Sequence, residues 1–214
     1  MPGNKSHTNL LNAFLCSFGF MAFSFFIHFD FPFKLISFAA LLIATYILSQ
    51  HLKSFPDFLK AIGITPSTVK KTALYCMAGL LLGMFLALTY RWYMGINKFP
   101  ESIQYFLLVA ALIGCTEELV FRGFIQEFAK SLGAPLLIIF SSLSHTGYKI
   151  CLFISPMNVQ EIDIGFLALW TFIAGILLGT IKHFSKNIFP PLIAHAVFDI
   201  LVYSEFTNAP WWVW

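Results

Sequence analysis

The chain has 214 residues, of which 58% are hydrophobic, 18% aromatic and only 11% charged, and its net charge is +3. A soluble domain carries roughly 25% charged residues, so this composition excludes an ordinary soluble protein and gives no basic surface for nucleic acid. It describes a polytopic membrane protein whose first partner is the lipid bilayer.

Stretches of ~20 apolar residues suffice to cross a bilayer, and they fall near 10–29, 31–50, 72–92, 104–128, 135–155, 164–182 and 188–207. The expected fold is therefore all-α: a membrane helix bundle of about seven transmembrane helices, in one integral domain over 1–214 with no internal repeat. The first segment is long and Phe-rich and lacks a small-x-small cleavage site, so it is expected to remain in the mature protein. The connection HLKSFPDFLKAIGITPSTVKK places Phe55, Phe58, Leu59 and Ile62 at helical spacing among Lys53, Lys60, Lys70 and Lys71. It reads as a short amphipathic surface helix, ended near Pro66.

Loop charge orients the bundle. One side collects Lys5, Lys53, Lys60, Lys70, Lys71, Lys130, Lys182 and Lys186, and the other Lys34, Arg91, Lys98 and Lys149. The excess predicts a cytoplasmic N-terminus, in a cell inner membrane. The C-terminus then lies outside, with Trp211, Trp212 and Trp214 as an interfacial anchor. Cys16, Cys76, Cys115 and Cys151 sit in apolar segments without metal-ligand spacing and read as small hydrophobes.

Three groups of polar residues interrupt the apolar spans. Charge near the bilayer centre costs roughly 2.5–3.5 kcal/mol on insertion scales and persists where it is paired or used. In CTEELVFRG, Glu118 and Arg122 stand at i and i+4 and can pair, while Glu117 points to another face. One carboxylate is held and the other is expected to be free, as a general base acting on water requires. His145 lies about ten residues into the fifth span. His195 and Asp199, again at i and i+4, can share a hydrogen bond that fixes the imidazole tautomer. At about 1.5 Å per residue all three groups can occupy one layer, expected to open to the cytoplasmic side. Each also has a packing role open to it, as an ion pair or a hydrogen bond between helices.

EELVFR is similar to the EExxxR motif of the CAAX-processing and bacteriocin-processing (CPBP, or Abi) family of intramembrane proteases, which includes the type II CAAX prenyl endopeptidases. HAVFD matches that family's late HxxxN/D motif, and HTGY resembles the segment around its middle histidine. Order and spacing agree over about residues 70–205. The resemblance implies that Glu117 and His145 activate the attacking water, that His195 and Asp199 support the oxyanion, and that Glu118 and Arg122 hold the site. The chain departs from the pattern where Ser141 replaces the Phe expected four residues before the histidine, Phe140 lying one place earlier. Asp199 in place of Asn supplies an acceptor unless it is protonated.

The expected function is an intramembrane endopeptidase acting by glutamate-activated water on a peptide or protein substrate at the membrane, whether prenylated, leader-bearing or another membrane protein. Glu117, His145 and His195 could also form a zinc site, which would make it a metalloprotease; a metal-free mechanism needs no cofactor. Two rivals use the same buried cluster without hydrolysis: a binding or immunity protein, and a proton-linked transporter, against which the lack of repeat symmetry counts.

Overall fold

The computed structural model describes residues 3–49, 56, 58–59, 69–156 and 163–207. Within them the chain forms α1 (Gly3–Phe26), α2 (Lys34–Ser49), α3 (Val69–Tyr93), α4 (Phe106–Glu118), α5 (Ala134–Ile154), α6 (Ile164–Ser185) and α7 (Phe189–Tyr203). No strand occurs among the described residues. Thr8–Phe26, α3, α5 and α6 are long and apolar enough to cross a membrane, and α2 and α7 are shorter apolar helices. Large apolar side chains such as Leu42, Tyr46, Leu74, Leu81, Phe85, Leu108 and Leu112 face outward. An outward apolar face is what lipid solvates at little cost.

The expected span at 104–128 is not a uniform helix. α4 gives way to a π-helical segment, Leu119–Ile125, and then to short α and 3-10 turns, Gln126–Phe128 and Ala129–Leu132. The Gln126 N–H reaches back to the Phe121 carbonyl, five residues earlier. Such widened turns re-aim side chains and recur at functional sites. This one carries Arg122 inward, while Phe121, Phe124 and Ile125 pack into the two apolar cores beneath α1.

Prolines begin α5 and α7, where the missing N–H costs no helical bond. Asp163 caps α6 by accepting from the Phe166 N–H at 2.9 Å. Among the largest helix contacts are α3 with α7, α5 with α6 and α4 with α7. α3 approaches α7 at Gly79 and Gly83, where a Cβ would run into the carbonyls of Pro190 and Ala194. Small residues one turn apart let membrane helices meet backbone to backbone, and here they fix α7 just where it presents His195.

Several loop-charge assignments change. Lys149 lies within α5, bonded into the cluster described below. Arg91 is fully buried at the end of α3, with Nε on the Asn97 carbonyl at 2.5 Å, Nη1 on the Leu201 carbonyl at 2.9 Å and Nη2 on Glu205 at 3.0 Å. Lys182 is also buried, 3.3 Å from Glu127, which Lys130 pairs from outside. Removing these three leaves the lysine asymmetry in the same direction. Lys70 and Lys71 open α3. Of the expected surface helix, Phe58 and Leu59 pack on the Phe124, Phe128 and Leu137 core. Phe55, Ile62, Lys53, Lys60 and Pro66 lie outside the described residues, as do Trp211, Trp212 and Trp214.

Candidate active site

Three adjoining elements converge on one buried layer. The end of α4 and its π-helical continuation bring Glu117, Glu118 and Arg122, α5 brings His145 and Lys149, and α7 brings His195 and Asp199. Glu118 and Arg122 form the expected i, i+4 pair, Oε1 to Nη1 at 3.1 Å, with both side chains fully buried. Arg122 Nη1 also lies 2.8 Å from His145 Nδ1. Because a guanidinium can only donate, Nδ1 must accept, and the ring proton therefore sits on Nε2. That Nε2–H donates to Glu117 Oε2 at 3.0 Å. The Phe121 ring lies against the imidazole, with centroids 4.6 Å apart and planes at 28°.

Glu117 is not the free carboxylate expected from the sequence. Its other oxygen, Oε1, is 2.5 Å from the Lys149 ammonium, which reaches it from one turn beyond His145 on α5. Lys149 was missed because it was counted among loop charges. Its i+4 spacing from His145 is the signal that places both on one helix face.

The pairing of His195 with Asp199 also changes. Their closest approach, Nε2 to Oδ2, is 3.7 Å, too long for a hydrogen bond. His195 Nδ1 instead donates to Glu118 Oε1 at 2.9 Å. Glu118 comes from a different helix and meets the ring edge directly, whereas Asp199 flanks the opposite nitrogen. Nε2 is left 3.9 Å from Glu117 Oε2. α4 and α7 come this close because residue 114 is glycine: a Cβ there would collide with Asp199 Oδ2 and lie 2.8 Å from His195 Cδ2.

The departure at Ser141 has a structural answer. Its hydroxyl donates to the Phe121 carbonyl at 2.8 Å, tying α5 to the π-helical segment. Phe140 packs toward α1 instead, 4.7 Å from the Phe14 ring. The face of His145 is thus filled by Phe121 rather than by a phenylalanine on its own helix.

A zinc ion does not fit this donor set. His145 has its one lone pair committed to Arg122, and the cations Arg122 and Lys149 already neutralise the carboxylates around it. Among the described residues no group of three or more His, Cys, Asp or Glu is arranged to hold a metal.

A cavity of about 510 Å³ reaches the cluster, with Arg122, His145, Lys149, His195 and Asp199 in its wall. Its remaining walls are mainly aromatic and aliphatic, among them Tyr90, Phe166, Trp170 and Phe198. It extends to Tyr93, Met94, Asp163 and Phe206, where α3 and α7 finish and α6 begins. This end is opposite Lys70, Lys71 and Lys186, so the expected opening on the lysine-rich side is not met. Toward that side Gln126 bonds the Gly179 carbonyl at 3.1 Å, Ile138 crowds Gly179, and Lys182 pairs with Glu127.

Residues 99–201 match the family described as type II CAAX prenyl endopeptidase Rce1-like. That stretch is similar to the family. The Rce1-like stretch contains every residue of the cluster, from Glu117 to Asp199. The matched family is one of CAAX intramembrane proteases, and with its apolar helices the chain is an integral membrane protein. No curated protein and no solved structure matches the chain.

Proposed function

We propose that the protein is an intramembrane endopeptidase that cleaves a peptide bond of a membrane-associated substrate with a water activated by Glu117, without a metal. The observation that carries this reading is the position of Glu117, oriented by His145 at 3.0 Å and lying 3.9 Å from His195 Nε2, with both histidines in the wall of a largely apolar cavity. A water hydrogen-bonded to both groups at about 2.8 Å spans that gap. Each carboxylate oxygen has a further lone pair, so the bonds from His145 and Lys149 leave Glu117 able to accept a proton.

In this reaction the water gives one proton to Glu117 as its oxygen bonds to the scissile carbonyl carbon. The carbonyl π electrons move to oxygen and form a tetrahedral oxyanion. Collapse of that intermediate breaks the C–N bond, and the leaving nitrogen takes the proton from Glu117. The products are a carboxylic acid, which keeps the second proton of the water, and an amine; transfer of that proton to the amine leaves them as carboxylate and ammonium. His195, held by Glu118 through Nδ1–H, presents its other edge to the reacting atoms, and Asp199 flanks that edge. Glu118 and Arg122 keep the two histidines in place.

The apolar cavity favours a substrate that arrives with an apolar group, prenylated or otherwise membrane-anchored. Purified protein is to be tested on a library of lipidated and unlipidated peptides beside a Glu117→Gln control. Cleavage by the wild type alone supports the reading. A non-catalytic binding or immunity protein is the second reading, favoured by the fact that both Glu117 oxygens already have partners. It predicts binding without cleavage, equal in both proteins.

A further inference from the structure

We infer that Lys149 is a catalytic residue of this site, whose ammonium contacts the scissile carbonyl oxygen and stabilises the oxyanion. The inference rests on the endopeptidase reading above. It begins with a difference between the two cations. Arg122 has no exposed side-chain surface, and its Nη1 is held between Glu118 and His145. Lys149 is 18% exposed, more than any other charged side chain of the cluster, and lies in the cavity wall.

Its chemistry suits the task. An ammonium carries three N–H donors on a flexible four-carbon stem, and here it is ion-paired with Glu117 Oε1 at 2.5 Å. The ammonium also lies over the Tyr148 ring, with Nζ 5.7 Å from the ring centroid. Its N–H donors can therefore turn to a group entering the cavity next to the attacking water. Positive charge placed before the reaction where negative charge will develop is worth most in a site that excludes water.

The same ion pair orders the steps. While Glu117 is anionic, Lys149 is attracted to it. Once Glu117 has taken the proton from water, that attraction falls as the oxyanion gains charge, and the ammonium is drawn to the oxyanion. Negative charge passes from Glu117 to the carbonyl oxygen, and Lys149 adjoins both.

The role is tested by binding as well as turnover. The probes are the library peptide cleaved fastest and its peptide phosphinate, whose tetrahedral anionic oxygens copy the intermediate. Each is titrated against wild-type protein, Lys149→Met and Lys149→Arg, and again with Glu117→Gln in all three to prevent cleavage. Lys149→Met should weaken the phosphinate by about tenfold or more, and the parent peptide by no more than about threefold, in both backgrounds. Its kcat should fall roughly 10²-fold with KM little changed, and Lys149→Arg should recover most of both losses. Equal weakening of both probes, or no weakening of the phosphinate, overturns the inference and leaves Lys149 only a partner of Glu117. If Lys149→Met does not fold, Lys149→Gln, which keeps a donor to Glu117 but no charge, decides by the same criterion. Failure of the endopeptidase reading itself is distinct: no library peptide is cleaved, or Glu117→Gln cleaves as the wild type does.

Discussion

One oxygen of Glu118 serves two partners: Oε1 accepts from His195 Nδ1 at 2.9 Å and ion-pairs with Arg122 Nη1 at 3.1 Å. It joins the π-helical segment to α7 and holds an imidazole that its own i+4 neighbour, Asp199, does not reach. Glu118 and His195 should therefore behave as a unit. Glu118→Ala and His195→Ala are each expected to lose roughly 10²-fold or more in turnover, and the double variant little beyond the worse single. His195→Ala combined with Asp199→Ala should be closer to multiplicative. Steady-state turnover of these variants on one peptide checks both expectations.

The buried pair predicts a stability effect of its own. Glu118→Gln and Arg122→Ala each leave a fully buried partner without its counter-charge, which costs roughly 3–5 kcal/mol. Folded yield and thermal stability in detergent should fall in both variants together with activity. Normal melting of both would show that the pair does not hold the bundle together.

Close approach at Gly114 gives a steric prediction. Gly114→Ala places a methyl group against Asp199 Oδ2 and the His195 ring. Overpacking of this kind costs typically about 1–3 kcal/mol, and displacement of His195 should lower kcat more than it raises KM. A variant that is stable and fully active would show that α4 and α7 can part here without consequence.

Much of this arrangement was legible in the chain because charge is so rare in it. Glu117, Glu118, Arg122, His145, His195 and Asp199 are visible as polar residues within apolar spans, and the i, i+4 spacing of Glu118 and Arg122 gives their pairing directly. What spacing on one helix cannot give is the angle between helices. That angle decides that His195 meets Glu118 from α4 rather than Asp199 from α7, and that Lys149 turns inward to Glu117. The π-helical segment was equally hidden: LVFRGFI has the composition of any membrane helix, and its extra width answers tertiary contacts with α1 and with Ser141.

The far end of the cavity offers a pH test. Glu205 accepts from the Glu101 N–H at 2.8 Å and from Arg91 at 3.0 Å, and these two contacts hold its carboxyl below the usual range. A depressed folded-state value contributes stability above the unfolded carboxylate range, near about 4.3, and loses it as pH falls through the folded value. Thermal stability of Glu205→Gln should therefore fall below wild type at neutral pH, with the difference shrinking as the medium is acidified. A constant difference across that range would remove the carboxylate from the explanation.

Cleavage of the fastest library peptide by Glu117→Gln, measured beside wild type in detergent or liposomes, tests the central claim most directly. The amide keeps the shape of the side chain but cannot take a proton from water. The account predicts that the variant melts near the wild-type temperature, binds the peptide and does not cleave it. Cleavage at the wild-type rate would contradict the account, because the water would then be activated without Glu117.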